Sequence, residues 1–193
     1  MSSAIINSTI QSAILSGTSS ILAQFITAYK NNEQFIIDFS QVGQFLAFAV
    51  LNNPPNFLWQ TYLEHAFPST IQAAPRDNKA EVERKEKGAT PPEPQLSIPN
   101  TIIKFILDQT IGAVFNTLIF SIVFAGFGGA SFEQAVEIAK QDFWGLMWAS
   151  WKLWPLVSFV NYALLKSVQS RQLVSGLANV AWGVYLSLVA GSG

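Results

Sequence analysis

The chain has 193 residues, half of them hydrophobic and only 12% charged, where a soluble domain carries roughly 25% charge. A formal net charge of -1 gives no electrostatic footing for nucleic acid. With no cysteine and a single histidine, His65, disulfides, thiolate metal sites and thiol nucleophiles are excluded and little is left for acid–base or metal catalysis.

The charges that exist are unevenly placed. Residues 76–93 hold ten of the 23, while 1–29, 39–63, 109–132 and 172–193 have none and 143–165 is interrupted only by Lys152. A membrane-crossing helix needs about 20 mainly apolar residues, and a soluble bundle would need charged faces on most helices. The pattern predicts an all-α integral membrane bundle with four to five transmembrane helices. It is a single membrane domain over 1–193, with a polar, partly disordered loop at 66–98 between the second and third helices. Its surroundings are then the lipid bilayer.

The first predicted helix, 5–29, is rich in Ser, Thr, Asn and Gln. Ser12, Ser16, Ser20, Ala23 and Thr27 recur at steps of four or three and share one face. Small and hydroxyl residues on one stripe let helices approach closely in a bilayer; a water-facing wall is the sharper alternative. The stretch lacks the positive start of a secretory signal and the arginines of a mitochondrial presequence. After a short polar connection, 30–38, the second helix spans 39–63 and carries Asn52-Asn53-Pro54-Pro55-Asn56 near its middle. Two prolines remove two backbone donors, which predicts a kink or an unwound segment.

The third helix, 101–127, places Lys104, Asp108, Gly112 and Asn116 four apart on one face. Ionisable groups inside a membrane segment usually face a bundle interior or water. An i,i+4 ion pair between Lys104 and Asp108 is feasible, either orienting the helix or rimming a pathway. Next comes Ser131 with Gln134 three positions on, the signature of a capping box. Residues 132–140 read as a short amphipathic stretch at the interface, before a fourth helix rich in Trp144, Trp148, Trp151 and Trp154. Pro155 should bend that helix, and Ser150, Trp154, Ser158 and Asn161 share a face. A basic turn, 166–171, leads to the last helix, 173–190, where Ser175, Asn179, Gly183 and Ser187 again recur by four. With five spans, the side of the amino terminus carries seven Lys and Arg against two on the other, which favours a cytosolic or matrix amino terminus.

The carboxyl-terminal half, 101–190, carries the most specific motifs: Asp142-Phe143-Trp144, Trp151-Lys152-Leu153-Trp154-Pro155, Asn161-Tyr162, Arg171, and Trp182 with Tyr185-Leu186-Ser187. Together with Lys104 and Asp108-Gln109, they resemble the Mpv-seventeen/peroxisomal membrane protein family. Leu22-Ala23-Gln24, Asp38, Pro54, and Trp59 with Tyr62-Leu63-Glu64 resemble its first half. The sequence departs from the family at Asn53, usually Gly, at Phe57, usually His, at Leu165-Lys166, usually Val-Pro, and by lacking a Pro after Asp108-Gln109. The resemblance implies a small multi-span protein of the peroxisomal or inner mitochondrial membrane. The charged, proline-containing loop looks more like fungal peroxisomal members.

Two functions follow. One is a channel or pore-like protein for small solutes, with Lys104, Asp108, Asn116 and Asn161 as the expected wall. The other is a non-enzymatic organiser that self-associates as a homo-oligomer or recruits protein partners. Neither requires a cofactor, and no nucleophile, base and oxyanion donors converge to suggest an enzyme.

Overall fold

The computed structural model describes residues 2–71 and 95–190, with backbone alone at Ser2, Ile71 and 186–190. Helix α1 spans Ser2–Asn31 and α2 Phe39–Ala66. Two short strands, β1 (Thr70–Ile71) and β2 (Gln95–Leu96), pair antiparallel with Thr70 opposite Leu96. Next come α3 (Ile98–Leu107), a π-helical turn (Asp108–Gly112) and α4 (Ala113–Phe127), continuous over 30 residues. Helices α5 (Phe132–Ser150), α6 (Trp154–Leu164) and α7 (Val168–Ala190) complete the bundle. The expected polar loop is therefore ordered at both feet, and its middle, 72–94, lies outside the described residues.

Burial is inverted relative to a soluble domain. Among the described residues, 15 polar or charged side chains are buried against 9 apolar ones. Ile6, Ile10, Leu51, Leu58, Ile102, Ile106, Trp144 and Phe159 all stand more than half exposed. Water would penalise that exterior, whereas hydrocarbon would not. At about 1.5 Å per residue, the 98–127 helix is about 45 Å long and exceeds the bilayer core of about 30 Å. Among the described residues it alone is long and apolar enough to cross a membrane on those two criteria.

Local chemistry explains most helix ends. Asp38 caps α2 by accepting from the Ser40 and Gln41 N–H groups at 2.8 and 3.2 Å. Gln24 reaches across from α1 to accept the Asp38 N–H at 2.7 Å and donate to its carbonyl at 3.2 Å. Ser131 and Gln134 form the expected capping box at the start of α5. Gly129 takes a positive φ of 89° in the turn before it, a conformation open to glycine without steric cost.

One expectation is corrected and two are sharpened. The amphipathic stretch at 132–140 is the first part of α5, which runs unbroken from Phe132 to Ser150. The tryptophan-rich span is divided rather than bent: a turn at 151–153 separates α5 from α6, and Pro155 sits in the first turn of α6, where its missing N–H costs nothing. Helix α2 stays helical through Pro54 and Pro55, which excludes the unwound segment of the two expected outcomes.

Helix α7 lies along α1, and α1 along α2. The contact between α1 and α7 is close because α7 presents glycines. A Cβ on Gly176 would fall 2.5 Å from Leu15, and one on Gly183 would collide with the Ser19 hydroxyl. Ser19 donates towards the Asn179 and Val180 carbonyls, each at 3.4 Å. The polar stripe of α1 thus faces α7 and α2, with Ser20 and Ala23 buried and Ser16 bonded to the Phe45 carbonyl at 3.0 Å.

Candidate functional site

Where α1, α2, the 98–127 helix, α5, α6 and α7 converge, a cavity of about 230 Å³ opens inside the bundle. Phe45, Phe48, Phe120, Trp154 and Trp182 supply aromatic surface, and amides and hydroxyls from every one of those helices supply polar surface.

One amide cluster crosses the cavity wall. Asn116 Oδ1 accepts from Asn56 Nδ2 at 2.8 Å and Asn52 Nδ2 at 3.1 Å. Asn116 Nδ2 donates to Asn56 Oδ1 at 3.0 Å and to the Gly112 carbonyl at 2.9 Å. A second line runs from Thr9 on α1 through Asn53 on α2 to Gln172 on α7, at 3.2 and 3.1 Å. Asn161 on α6 donates to Ser175 on α7 at 2.9 Å. The Asn-rich run around Pro54 is therefore a set of inter-helix partners, a role that its sequence context, read as a helix break, did not suggest.

Asp108 is the acid of the cavity. It accepts from the Ser158 hydroxyl and from Gln109 Nε2, the latter at 3.4 Å. Successive residues four apart drift by about 40° per step on an α-helix, so a strict face over 104–116 needs a correction. The π turn at 108–112 takes up one extra residue and supplies it. Trp151 Nε1 donates to the Gln109 carbonyl within that turn at 3.2 Å, joining two of the recognised motifs. A Cβ on Gly112 would lie 3.0 Å from the Trp59 indole nitrogen and 3.3 Å from Asp108, so only glycine fits without displacement.

Of the expected wall residues, Asp108, Asn116 and Asn161 line the cavity. Lys104 does not, nor does it pair with Asp108. It faces inward but sits nearer the polar loop, where Glu64 Oε2 takes its ammonium at 2.8 Å together with the Ser69 hydroxyl. Arg171 joins the same carboxylate at 2.7 Å, donates to Ser69 Oγ at 2.9 Å, and binds the Asn161 and Leu165 carbonyls through Nε at 3.0 and 3.1 Å. Both cations are fully buried. Arg171 is thus not part of an exposed basic turn but a buried clasp linking α7, α6 and the end of α2. Burial alone would raise the carboxyl of Glu64, which lies just past the charge-free run 39–63. Hydrogen bonds from Lys104, the Ser69 N–H and Arg171 outweigh that and hold it at about 2.

Tyr162 joins the clasp to the cavity. Its ring lies 5.3 Å from Lys104 Nζ and 5.2 Å from Arg171 Cζ, and its hydroxyl is beside Asp108. The remaining motif residues are placed as follows. Trp154 and Trp182 line the cavity, Pro155 starts α6, and exposed Lys152 donates to the Tyr185 hydroxyl at 3.2 Å. Ser187 lies beyond the described side chains.

A sequence profile described as the Mpv17 / PMP22 family matches residues 125–187. Protein sym1 of Schizosaccharomyces pombe is 25% identical over 188 residues, covering 90% of this chain and 79% of that protein. PXMP2/4 family protein 4 of Dictyostelium discoideum is 33% identical over 98 residues, covering 49% of this chain and 50% of its own length. PXMP2/4 family protein 3 of the same organism is 27% identical and covers 93% of this chain and 80% of its own length. No solved structure matches. With the Asp108-Gln109, Trp151–Pro155, Asn161 and Arg171 motifs all placed around one cavity and its clasp, the chain is similar to the Mpv17 / PMP22 family of organellar membrane proteins, whose profile it matches over residues 125–187.

Proposed function

We propose that the protein is a non-enzymatic channel for small polar solutes in an organellar membrane, peroxisomal in the first place and mitochondrial inner as the alternative. Five units would cross the bilayer: α1, α2, the 98–127 helix, α5 with α6, and α7. The observation that carries this reading is a cavity into which amides, hydroxyls and a carboxylate project among aromatic rings, inside helices whose outer faces are apolar. Buried amides and a carboxylate in a membrane bundle are costly unless they face water, a partner or a solute. In this reading Asp108, Asn116 and Asn161 belong to the wall and Lys104 to the clasp that sets the helices around it.

The small-residue stripes of α1 and α7, which a self-associating organiser could use, pack against each other inside the chain through Ser19 and Gly183. Single-channel recording of the purified chain in planar bilayers, beside Asp108→Asn, tests the proposal. A conductance that changes with the substitution supports a pore with Asp108 on its wall. A silent bilayer with verified insertion overturns it.

A further inference from the structure

The cavity is bounded by different chemistry at its two ends. Helix α2 and the 98–127 helix run antiparallel, as their successive partners show: Phe45 meets Phe124, Phe48 meets Phe120, Asn56 meets Asn116 and Glu64 meets Lys104. The Glu64 clasp therefore marks the end beside the polar loop. Phe48 lies 16 residues before Glu64, and Phe120 lies 16 after Lys104. At about 1.5 Å per residue, that places the pair about 24 Å along the bundle from the clasp. The amide cluster and Asp108 fall between the two ends.

At the far end four phenylalanine rings close on one another. Ring centroids lie 5.1 Å apart for Phe45 and Phe124 and 5.6 Å for Phe48 and Phe120. Phe124 also sits 5.4 Å from Phe48 and 4.6 Å from Phe120. Phe45, Phe48 and Phe120 line the cavity, so this cluster bounds open space instead of filling a core. Helix α1 lies along α2, and α5 along α4, whereas α2 and α4 meet mainly through side chains. Rings can turn about their side-chain torsions without breaking any backbone hydrogen bond. A narrow apolar layer excludes water and solute until it widens.

Resting on the channel reading, we infer that Phe45, Phe48, Phe120 and Phe124 form the constriction that limits the size of solute able to enter the cavity at the end away from the polar loop. Phe48 is its specificity-determining residue, because it touches the rings of both Phe120 and Phe124 from the opposite helix. The amides and Asp108 then hold what the rings admit.

The chain has no cysteine, so Ser150→Cys, a near-isosteric change in the cavity wall, provides a single reporter thiol. The full chain is reconstituted in proteoliposomes with a permanently charged methanethiosulfonate on both faces, and the rate of modification is measured. Phe48→Ala should raise that rate by about tenfold, the factor that one edge-on aromatic contact sets on an opening equilibrium. Phe48→Trp should lower it. A reagent with a bulkier head should gain more from Phe48→Ala than a small one, as a size limit requires. Phe25→Ala breaks the same kind of ring pair with Phe35, outside the cavity, and should change nothing. Acceleration by both Phe48 variants would mean general loosening and would overturn the constriction, as would equal gains for both reagent sizes. Planar-bilayer recording of the same variants scores the channel separately. A silent bilayer with labelling that follows Phe48 defeats the channel and keeps the constriction. Conductance and labelling that both ignore Phe48 keep the channel and overturn the constriction.

Discussion

Glu64 is a single carboxylate serving two fully buried cations. Removing one partner of a buried charge group strands the others, which typically costs about 3–5 kcal/mol. Glu64 is itself partly exposed, so Glu64→Gln should fall near the lower end, about 3 kcal/mol, measured as lost thermal stability in detergent. The pH dependence follows from the same contacts. The carboxyl sits at about 2 in the folded chain against an ordinary value of 4.5, so its contribution is complete above about pH 4.5 and is lost as pH falls towards 2. Melting temperatures of the native chain should therefore drop between pH 5 and 3, and the Glu64→Gln chain should be flatter over that window. An equal slope in both would remove Glu64 as the cause. The ion pair was not legible in the sequence. Glu64 and Arg171 lie 107 positions apart, and in a sequence Lys104 finds its nearest acid at Asp108. The spacing offers that local pair, and only the tertiary arrangement shows that Ser158 already occupies Asp108.

Among the elements, the α1–α7 seam depends on absent side chains. Gly183→Val would drive a branched side chain into Ser19 and separate the two helices. Overpacking of this kind costs about 1–3 kcal/mol, and here it also parts the cavity walls contributed by Ser19 and Asn179. The expected result is a lower melting temperature that Ser19→Gly partly restores; absence of rescue would mean that the seam is not the origin. The same seam shows what sequence patterning conveys. Stripes of Ser, Ala and Gly at steps of four predict close approach because small residues have that one geometric use in a bilayer. Charge-free runs predict where helices form for an equally general reason. The division of the tryptophan-rich span at 151–153 is harder to read, since Pro155 is compatible both with a bend and with the first turn of a new helix. The π turn is harder still, because no local residue type demands it; only the inward contacts of Lys104, Asp108 and Asn116 reveal the extra residue.

At the scale of the whole molecule, the described part of the chain is inside out: amides, hydroxyls and two cations are gathered within, and many isoleucines and leucines face outward. That inversion could be anticipated from composition, whereas the identity of the cavity residues could not. Sequence reasoning reaches Asp108, Asn116 and Asn161 through their spacing and the family motifs. It misses Asn52 and Asn56, because an Asn-rich run beside two prolines resembles a helix break as much as a set of partners, and Gln60 and Gln172, which no motif or spacing singles out.

The strand pair also has a practical consequence. The described chain stops at Ile71 and resumes at Gln95 at adjacent points, with Thr70 opposite Leu96 and Ser69 tied to Lys104 and Arg171. The first two helices and the remainder are therefore held together by α1 on α7 and by the Glu64 clasp, independently of the peptide bonds that join them. A gene severed within that stretch and expressed as two polypeptides should yield fragments that find each other in the membrane and co-purify through a tag on either one. Arg171→Ala should weaken that complementation. The protein would then behave as a bipartite assembly that happens to be encoded as one chain.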